Sequence, residues 1–113
     1  MLFIEYPKCT TCKRAKKYLE EHKVTFEERH IVEDNPTKEE LTEWIKRSGY
    51  PIRKFFNTSG MKYRELGLKD KLDAMSDEEK IELLASDGML VKRPLLIDDN
   101  RILVGFREKE WTF

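Results

Sequence analysis

The chain has 113 residues, a length that suits one domain, and 39% of them are hydrophobic, too many for a disordered chain. Acidic and basic residues balance at 22 each, so nothing in the charge favours direct binding to nucleic acid or an anionic membrane. No apolar run is long enough to span a membrane, and the first predicted strand follows Met1 at once, leaving no room for a signal peptide. We expect one domain over residues 1–113, monomeric and cytoplasmic.

The first third of the chain predicts a β-α-β unit. Residues 2–6 predict a strand, residues 13–22 a helix that turns Cys12 inward, and residues 24–32 contain a second strand. The two strands are joined by a helix, as in parallel strand pairs.

A helical insert is predicted over about residues 36–90. The sequences Thr37-Lys38-Glu39-Glu40 and Ser76-Asp77-Glu78-Glu79 are capping boxes, each of which begins a predicted helix. Three glycines are predicted to end helices of the insert: Gly49, Gly67 and Gly88.

The last part of the chain returns to strands. Residues 95–98 and 101–105 predict a β-hairpin around Asp99-Asn100, a two-residue turn whose side chains tolerate positive φ. Residues 107–111 predict a final helical turn. The order βαβ, helical insert, ββα predicts an α/β, thioredoxin-like fold with a mixed sheet of about four strands and an inserted helical subdomain.

The only two cysteines, Cys9 and Cys12, lie at the predicted strand-to-helix junction. Unpaired N–H groups and the dipole at a helix N-terminus favour a thiolate at Cys9, and Lys8 adds positive potential. Cys12, one turn inside, is close enough to resolve a mixed disulfide on Cys9. In a reducing compartment such a pair is more often catalytic, redox-sensing or metal-binding than structural. Thr10 and Thr11, between the cysteines, are expected to border the substrate groove with Lys8.

Two other interpretations of the cysteines remain. They are either buried thiols without function, or ligands of a zinc ion together with His22 and His30, although that spacing matches no zinc-finger pattern. Since His22 is predicted at the far end of the helix from the cysteines, we expect no metal.

Arg93-Pro94, just before the hairpin, is the second candidate feature. Local sequence alone favours an ordinary trans proline with a solvated arginine, because cis is the minority form. In a thioredoxin-like fold a cis bond here would lie beside the cysteine pair, and Arg93 would then direct a fixed cation at Cys9 or at an anionic substrate.

Five segments together resemble the ArsC/Spx family over essentially the whole chain: Tyr6-Pro7-Lys8-Cys9-Thr10-Thr11-Cys12, Phe55-Phe56-Asn57-Thr58-Ser59-Gly60, Tyr63-Arg64-Glu65-Leu66-Gly67-Leu68, Leu90-Val91-Lys92-Arg93-Pro94-Leu95 and Val104-Gly105-Phe106. The family holds glutaredoxin-linked arsenate reductases and the Spx and MgsR redox-sensing transcription regulators. The resemblance implies a cis Pro94 that shapes the substrate groove.

The resemblance also separates the functions within the family. Its arsenate reductases bind arsenate with three arginines, of which Arg93 matches one, whereas the other two positions fall at about Asn57 and Gly105. Losing two charged contacts, each worth about 1.5–3 kcal/mol, weakens oxyanion binding. Arg64 and Arg107 are the arginines available as substitutes.

The sequence therefore predicts a thiol–disulfide oxidoreductase in which Cys9 attacks, Cys12 resolves and Arg93 stabilises the thiolate or binds an anionic partner. The expected substrate is a small thiol or protein disulfide, and glutathione, glutaredoxin or thioredoxin is the expected reductant, without a bound cofactor. The resemblance leaves two alternatives: a redox-sensing regulator that binds the C-terminal domain of the RNA polymerase α subunit, and a weaker one, a glutaredoxin-dependent arsenate reductase.

Overall fold

Four strands and five α-helices make up the computed structural model, which describes residues 1–113. None of its helices is both long enough and apolar enough to span a membrane. The strands are β1 (Leu2–Glu5), β2 (Glu27–His30), β3 (Leu95–Ile97) and β4 (Ile102–Val104). The helices are α1 (Thr10–Glu21), α2 (Lys38–Ser48), α3 (Met61–Glu65), α4 (Leu68–Lys71) and α5 (Asp77–Ser86).

The strands form one mixed sheet in the order β2-β1-β3-β4. Strand β1 pairs in parallel with β2 and antiparallel with β3, with Ile4 opposite Leu95, and β3 pairs antiparallel with β4. The α/β class and the predicted four-strand mixed sheet are confirmed. The helical segments from Lys38 to Leu90 all lie between β2 and β3 in the chain.

Strand β1 carries apolar side chains to both faces of the sheet. Phe3 belongs to a six-residue buried cluster with Ala15 and Leu19 of α1, whereas Ile4 belongs to a sixteen-residue cluster shared with the insert. Side chains alternate between faces along a strand, so α1 covers one face of the sheet and the insert covers the other.

Helix α1 follows β1 after a short turn. Its buried residues are Cys12, Ala15 and Leu19, the spacing of one helix face, which confirms the predicted inward position of Cys12. The helix begins at Thr10, three residues earlier than predicted, because Cys9 has the extended backbone conformation of an N-cap residue.

Both predicted capping boxes are present in the insert. Thr37 begins α2 and Ser76 begins α5, each with the reciprocal side-chain and backbone hydrogen bonds of the motif. Gly49 ends α2 in the left-handed conformation at φ 71°, and Gly67 follows α3 at φ 65°. These signals are local in the chain, which is why the sequence predicts them well.

The prediction that Gly88 ends a helix is wrong. Asp87 ends α5 and Gly88 is not left-handed; it begins a short 3-10 turn pressed against the end of the second strand. A Cβ atom on Gly88 would lie 1.9 Å from the Ile31 carbonyl oxygen and 2.9 Å from Val32 Cα. The glycine is required because two backbones meet there, a long-range fact that the local sequence does not carry.

The C-terminal hairpin is present, and the insert contains one more α-helix than the sequence predicts. Asp99 and Asn100 lie at the hairpin turn, neither with positive φ, and the Asp98 amide donates to the Arg101 carbonyl at 3.0 Å. Helix α4, which the sequence analysis does not predict, is too short to carry a periodic pattern and has no side-chain cap.

A charged contact ties β2 to the start of the insert. Arg29 donates two hydrogen bonds to Glu40, from Nη1 to Oε2 at 2.6 Å and from Nη2 to Oε1 at 2.8 Å. It also donates to the carbonyls of Asp34 and Asn35, so the guanidinium holds the connection between β2 and α2 in one conformation. The Arg29 contact lowers the pKa of Glu40 to about 2.

Substitution of Gly88 by alanine tests the backbone contact. Gly88→Ala is expected to lower the free energy of unfolding by about 2 kcal/mol or more, because the added methyl group meets backbone that cannot rotate away. Gly49→Ala is the control: it meets nothing within 4 Å, so only the left-handed backbone costs, at about 1 kcal/mol. Equal losses in chemical denaturation would contradict the close approach.

The Arg29–Glu40 contact predicts a pH dependence of stability. The pKa of Glu40 in the folded state lies below its ordinary 4.5, so its contribution is complete above about pH 5 and is lost as pH falls toward 2. Glu40→Gln is expected to cost about 1–2 kcal/mol at pH 7 after allowance for solvent screening, with the difference vanishing at low pH. Glu82→Gln, which removes the exposed Lys38 ion pair, is the control, with no measurable loss expected. Equal losses for both variants in urea titrations would refute the assignment.

Candidate functional site

Cys9 lies where β1 gives way to α1. Its amide donates to the Tyr6 carbonyl at 2.9 Å, closing the turn, and its own carbonyl accepts the first helical hydrogen bond from Lys13. The Cys9 side chain is partly exposed, whereas Cys12, one helical turn further, is fully buried. The two thiols are free and differ in access to solvent, as the spacing predicts for an attacking and a resolving cysteine.

The surroundings of Cys9 favour its thiolate. Burial alone would raise the pKa of Cys9, but hydrogen bonds from the Cys12 amide and thiol and from the Arg93 guanidinium outweigh it, so this pKa lies below its ordinary value. The positive charge of Arg93 acts in the same direction. A helix N-terminus and a fixed cation are the two features that make a cysteine nucleophilic near neutral pH.

Cys12 has the opposite environment. Burial, together with the sulfur and the negative charge of Cys9 and the charge of Glu5, raises the pKa of Cys12 to about 12, although the Tyr6 amide donates toward its sulfur. At neutral pH Cys12 is therefore a protonated thiol, whereas the surroundings of Cys9 favour its thiolate.

Arg93 reaches the site through the bend before β3. The Arg93–Pro94 peptide bond is cis, contrary to the preference of the local sequence and in line with the family resemblance. The guanidinium lies 5.2 Å from the Tyr6 ring centre, and its Nη1 donates to the Met89 carbonyl at 3.4 Å. These contacts hold the cation beside the cysteine pair rather than in bulk solvent.

A groove of about 720 Å³ opens in front of Cys9. Of the site residues predicted from the sequence, Cys9, Thr11 and Arg93 line this groove, while Cys12 and Pro94 are buried behind it. Lys8 and Thr10 are exposed to solvent and do not line it. The opposite wall comes from the insert, chiefly the turn at residues 57–62.

The groove is cationic although the chain as a whole is neutral. No acidic residue lines it, so it presents positive potential to anything that approaches Cys9. Its cationic residues are Arg53, Lys54, Lys62, Lys92, Arg93 and Arg107. Of these, sequence analysis singled out Arg93 and Arg107; Arg53, Lys54 and Lys62 belong to the insert, which meets the cysteine turn only in the folded chain.

Three arginines are available to an oxyanion in the groove. Arg53 and Arg107 line it together with Arg93. Arg64 does not line it; its guanidinium donates to the Ser59 carbonyl at 3.0 Å. Asn57, at about the position of another arginine expected from the resemblance to arsenate reductases, lines the groove as a neutral side chain.

The histidines lie away from the cysteine pair. His22 is the C-cap residue at the far end of α1, and its Nδ1–H donates to the Tyr18 carbonyl at 2.8 Å. His30, at the end of β2, accepts from the amides of Val32 and Glu33. No group of three or more His, Cys, Asp or Glu side chains is arranged to hold a metal ion.

Comparison with known sequences finds close relatives over almost the whole chain. The uncharacterized protein YusI of Bacillus subtilis is 57% identical over 111 residues, covering 98% of this chain and 94% of YusI. The regulatory protein MgsR of the same organism is 31% identical over 110 residues, covering 97% of this chain and 86% of MgsR.

Solved structures agree with this relationship. An ArsC family related protein from Bacteroides fragilis superposes with a TM-score of 0.95 at 55% identity, covering 97% of this chain and 92% of that one. A possible arsenate reductase from Streptococcus mutans gives a TM-score of 0.88 at 48% identity, covering 94% and 90%. These neighbours confirm the thioredoxin-like fold. Because the ArsC family model matches residues 4–112, nearly the entire chain, this protein belongs to the ArsC family.

Proposed function

We propose that the protein is a thiol–disulfide oxidoreductase that uses Cys9 and Cys12 as its redox pair. The observation that carries the proposal is the contrast between the two thiols: Cys9 is partly exposed at the N-terminus of α1 with a lowered pKa, and Cys12 is buried one turn behind it with a pKa of about 12. Cys9 is suited to attack the substrate, and Cys12 is suited to attack the mixed disulfide that then forms on Cys9.

The first step is attack on a disulfide R–S–S–R′ that lies in the groove. The Cys9 thiolate forms a bond to one sulfur, the S–S bond of the substrate breaks, and R′S⁻ leaves and takes a proton from water. Arg93 stabilises the thiolate before attack and stays close to the anionic leaving group.

The second step frees the other half of the substrate. Cys12 loses its proton and attacks the Cys9 sulfur, the Cys9–S–S–R bond breaks, and RS⁻ leaves while the Cys9–Cys12 disulfide forms. Two thiols have then been produced from one disulfide, and the protein has been oxidised by two electrons. A dithiol, or two molecules of a monothiol, returns the pair to the reduced state.

The chemistry of the groove favours an anionic partner. Six cationic residues and no carboxylate line the groove in front of Cys9, which suits a small thiol that carries carboxylates, such as glutathione, or an acidic stretch of protein around a disulfide. Glutathione, glutaredoxin or thioredoxin is the proposed reductant, and a reducing cytoplasm, with the protein as a monomer, is the proposed setting.

Replacing each cysteine by serine tests the assignment. Cys9→Ser is expected to abolish reduction of oxidised glutathione, because the attacking sulfur is gone. Cys12→Ser is expected to attack normally but to stop at a Cys9 mixed disulfide, visible as an added glutathione mass in intact-protein mass spectrometry. Equal, undiminished turnover in both variants, measured by coupled NADPH consumption, would reject the redox pair.

Arg93 is expected to hold the Cys9 pKa low. Arg93→Gln removes both a hydrogen bond and a positive charge from the sulfur, so the Cys9 pKa is expected to rise and alkylation by iodoacetamide at pH 7 to slow. Thiolate absorbance at 240 nm against pH measures the change. Lys8→Gln is the matched control, since Lys8 is exposed and does not line the groove. The same rise in both variants would show that general charge, not the Arg93 contact, sets the pKa.

A redox-sensing regulator is the second candidate, favoured by the 31% identity to the regulatory protein MgsR. In that case oxidation of Cys9 and Cys12 alters a binding surface, and the proposed partner is the RNA polymerase α subunit. Pull-down with the α C-terminal domain, using reduced and oxidised protein, separates the two functions. Binding in neither state would eliminate the regulator.

Arsenate reduction is the weaker alternative, supported by the similarity to a possible arsenate reductase and by Arg93 and Arg107 in the groove. Arsenate-dependent oxidation of thiols in the presence of glutaredoxin measures it. Activity no higher than that of Cys9→Ser would remove it.

A further inference from the structure

Glu5 is a buried charged residue for which the redox steps above give no role. It is the last residue of β1, its side chain is only 7% exposed, and no side chain or backbone group donates a hydrogen bond to its carboxylate. An unpaired carboxylate in such a place costs stability, which calls for a functional reason.

The sheet geometry places this carboxylate beneath the cysteine pair. Side chains alternate along β1, so Glu5 points to the same face as Phe3, the face covered by α1. Phe3 packs with Ala15 and Leu19, further along the helix. Because α1 runs back antiparallel to β1, Glu5 lies opposite the preceding turn of α1, which carries Cys12.

The surroundings of the Cys12 sulfur agree with this placement. The amide of Tyr6, the residue after Glu5, donates toward the Cys12 sulfur, and the charge of Glu5 contributes to the raised pKa of Cys12. The Tyr63 hydroxyl is the only side-chain polar atom that is both fully enclosed and without a hydrogen-bond partner. The Glu5 oxygens also lack a partner, so they are not fully enclosed. Their small contact with solvent gives a proton a way to leave.

The attack of Cys12 on the mixed disulfide calls for a nearby proton acceptor. Burial, the largest cause of the raised pKa of Cys12, persists when Cys9 is in a mixed disulfide, so at pH 7 the attacking thiol is protonated and its attack is helped by a proton acceptor. Burial, and then the charge of Glu28, raise the pKa of Glu5 above its ordinary value, against the weaker effects of Lys16 and His30. Raising the pKa of a carboxylate makes it a stronger base.

We propose that the Glu5 carboxylate takes the proton of Cys12 as Cys12 attacks the mixed disulfide on Cys9. The Cys12–Cys9 bond forms, RS⁻ leaves, and the proton passes from Glu5 to solvent. In the reverse direction an incoming thiolate attacks Cys9, the Cys9–Cys12 bond breaks, and Cys12 receives its proton from the Glu5 carboxyl. The inference rests on the thiol–disulfide function proposed above and assigns Glu5 to its second step.

The two steps can be timed separately with Ellman's disulfide, 5,5′-dithiobis(2-nitrobenzoate). Attack by Cys9 releases one coloured thiolate and resolution by Cys12 releases the second, so a stopped-flow trace has two phases. Glu5→Gln is expected to leave the first phase unchanged and to slow the second by about 100-fold at pH 7, the low end of the contribution of a general base.

The pH profile distinguishes proton transfer from packing. In the wild type the second-phase rate is expected to rise with pH until Glu5 is ionised and then to level off, whereas in Glu5→Gln it should keep rising with hydroxide concentration. The charges that face Glu5 are Lys16 from α1 and Glu28 and His30 from β2, and residues 95–97 of β3 bring none. Glu28→Gln, the matched control, removes a neighbouring carboxylate that only adjusts the pKa of Glu5, so it should slow the second phase far less than Glu5→Gln does.

Stability provides an independent readout. Because the folded-state pKa of Glu5 is raised, the folded state loses stability as pH rises from the ordinary pKa through the raised one. The uncharged Glu5→Gln variant should therefore melt at a higher temperature than the wild type at pH 7. A residue needed only for packing would not combine higher stability with slower resolution.

Three outcomes overturn the inference: an unchanged second phase in Glu5→Gln, an equal loss in Glu28→Gln, or a loss of both phases with a lower melting temperature. Failure of the proposed thiol–disulfide function gives another result. In that case the first phase would be absent from the wild type, or it would persist in Cys9→Ser.

Discussion

Strand β1 occupies the centre of the sheet, and this placement is the constraint on which the rest of the site depends. It is paired on both sides, and its side chains are buried under α1 on one face and under the insert on the other. Its carboxyl end is therefore fixed, and with it the turn that carries Cys9 and the cis bond before β3. A sulfur and a guanidinium from distant parts of the chain meet because both leave neighbouring strands of a rigid sheet.

The difference in acidity between the two cysteines follows from their unequal burial at the carboxyl end of β1. The helix N-terminus and Arg93 favour negative charge on Cys9, whereas the interior around Cys12 excludes it. A difference in acidity between two adjacent thiols gives a disulfide exchange its order, since the more acidic sulfur attacks first and the other follows. The proposed base beneath Cys12 would complete the sequence, allowing a buried thiol to react without exposure to bulk water.

The parts of the structure that the sequence predicts are those encoded locally. The capping boxes at Thr37 and Ser76 and the inward face of α1 depend on spacings of three or four residues, and all are present. The cis bond at Pro94 and the tight contact at Gly88 depend on tertiary packing, and so local preferences miss them. The positive charge of the groove could not be predicted from the sequence for the same reason, because residues 53–62, 92–93 and 107 meet only after folding.

The two walls of the groove come from different segments of the chain. One wall holds Cys9 and Arg93, which helps to lower the pKa of Cys9. The other wall is the turn at residues 57–62 with the cationic residues on either side of it. The proposed reactive groups and the surface that a partner would contact are therefore encoded in different segments. A substitution in the insert alters that surface and leaves Cys9 and Arg93 in place, which is one way in which a shared scaffold can acquire different partners.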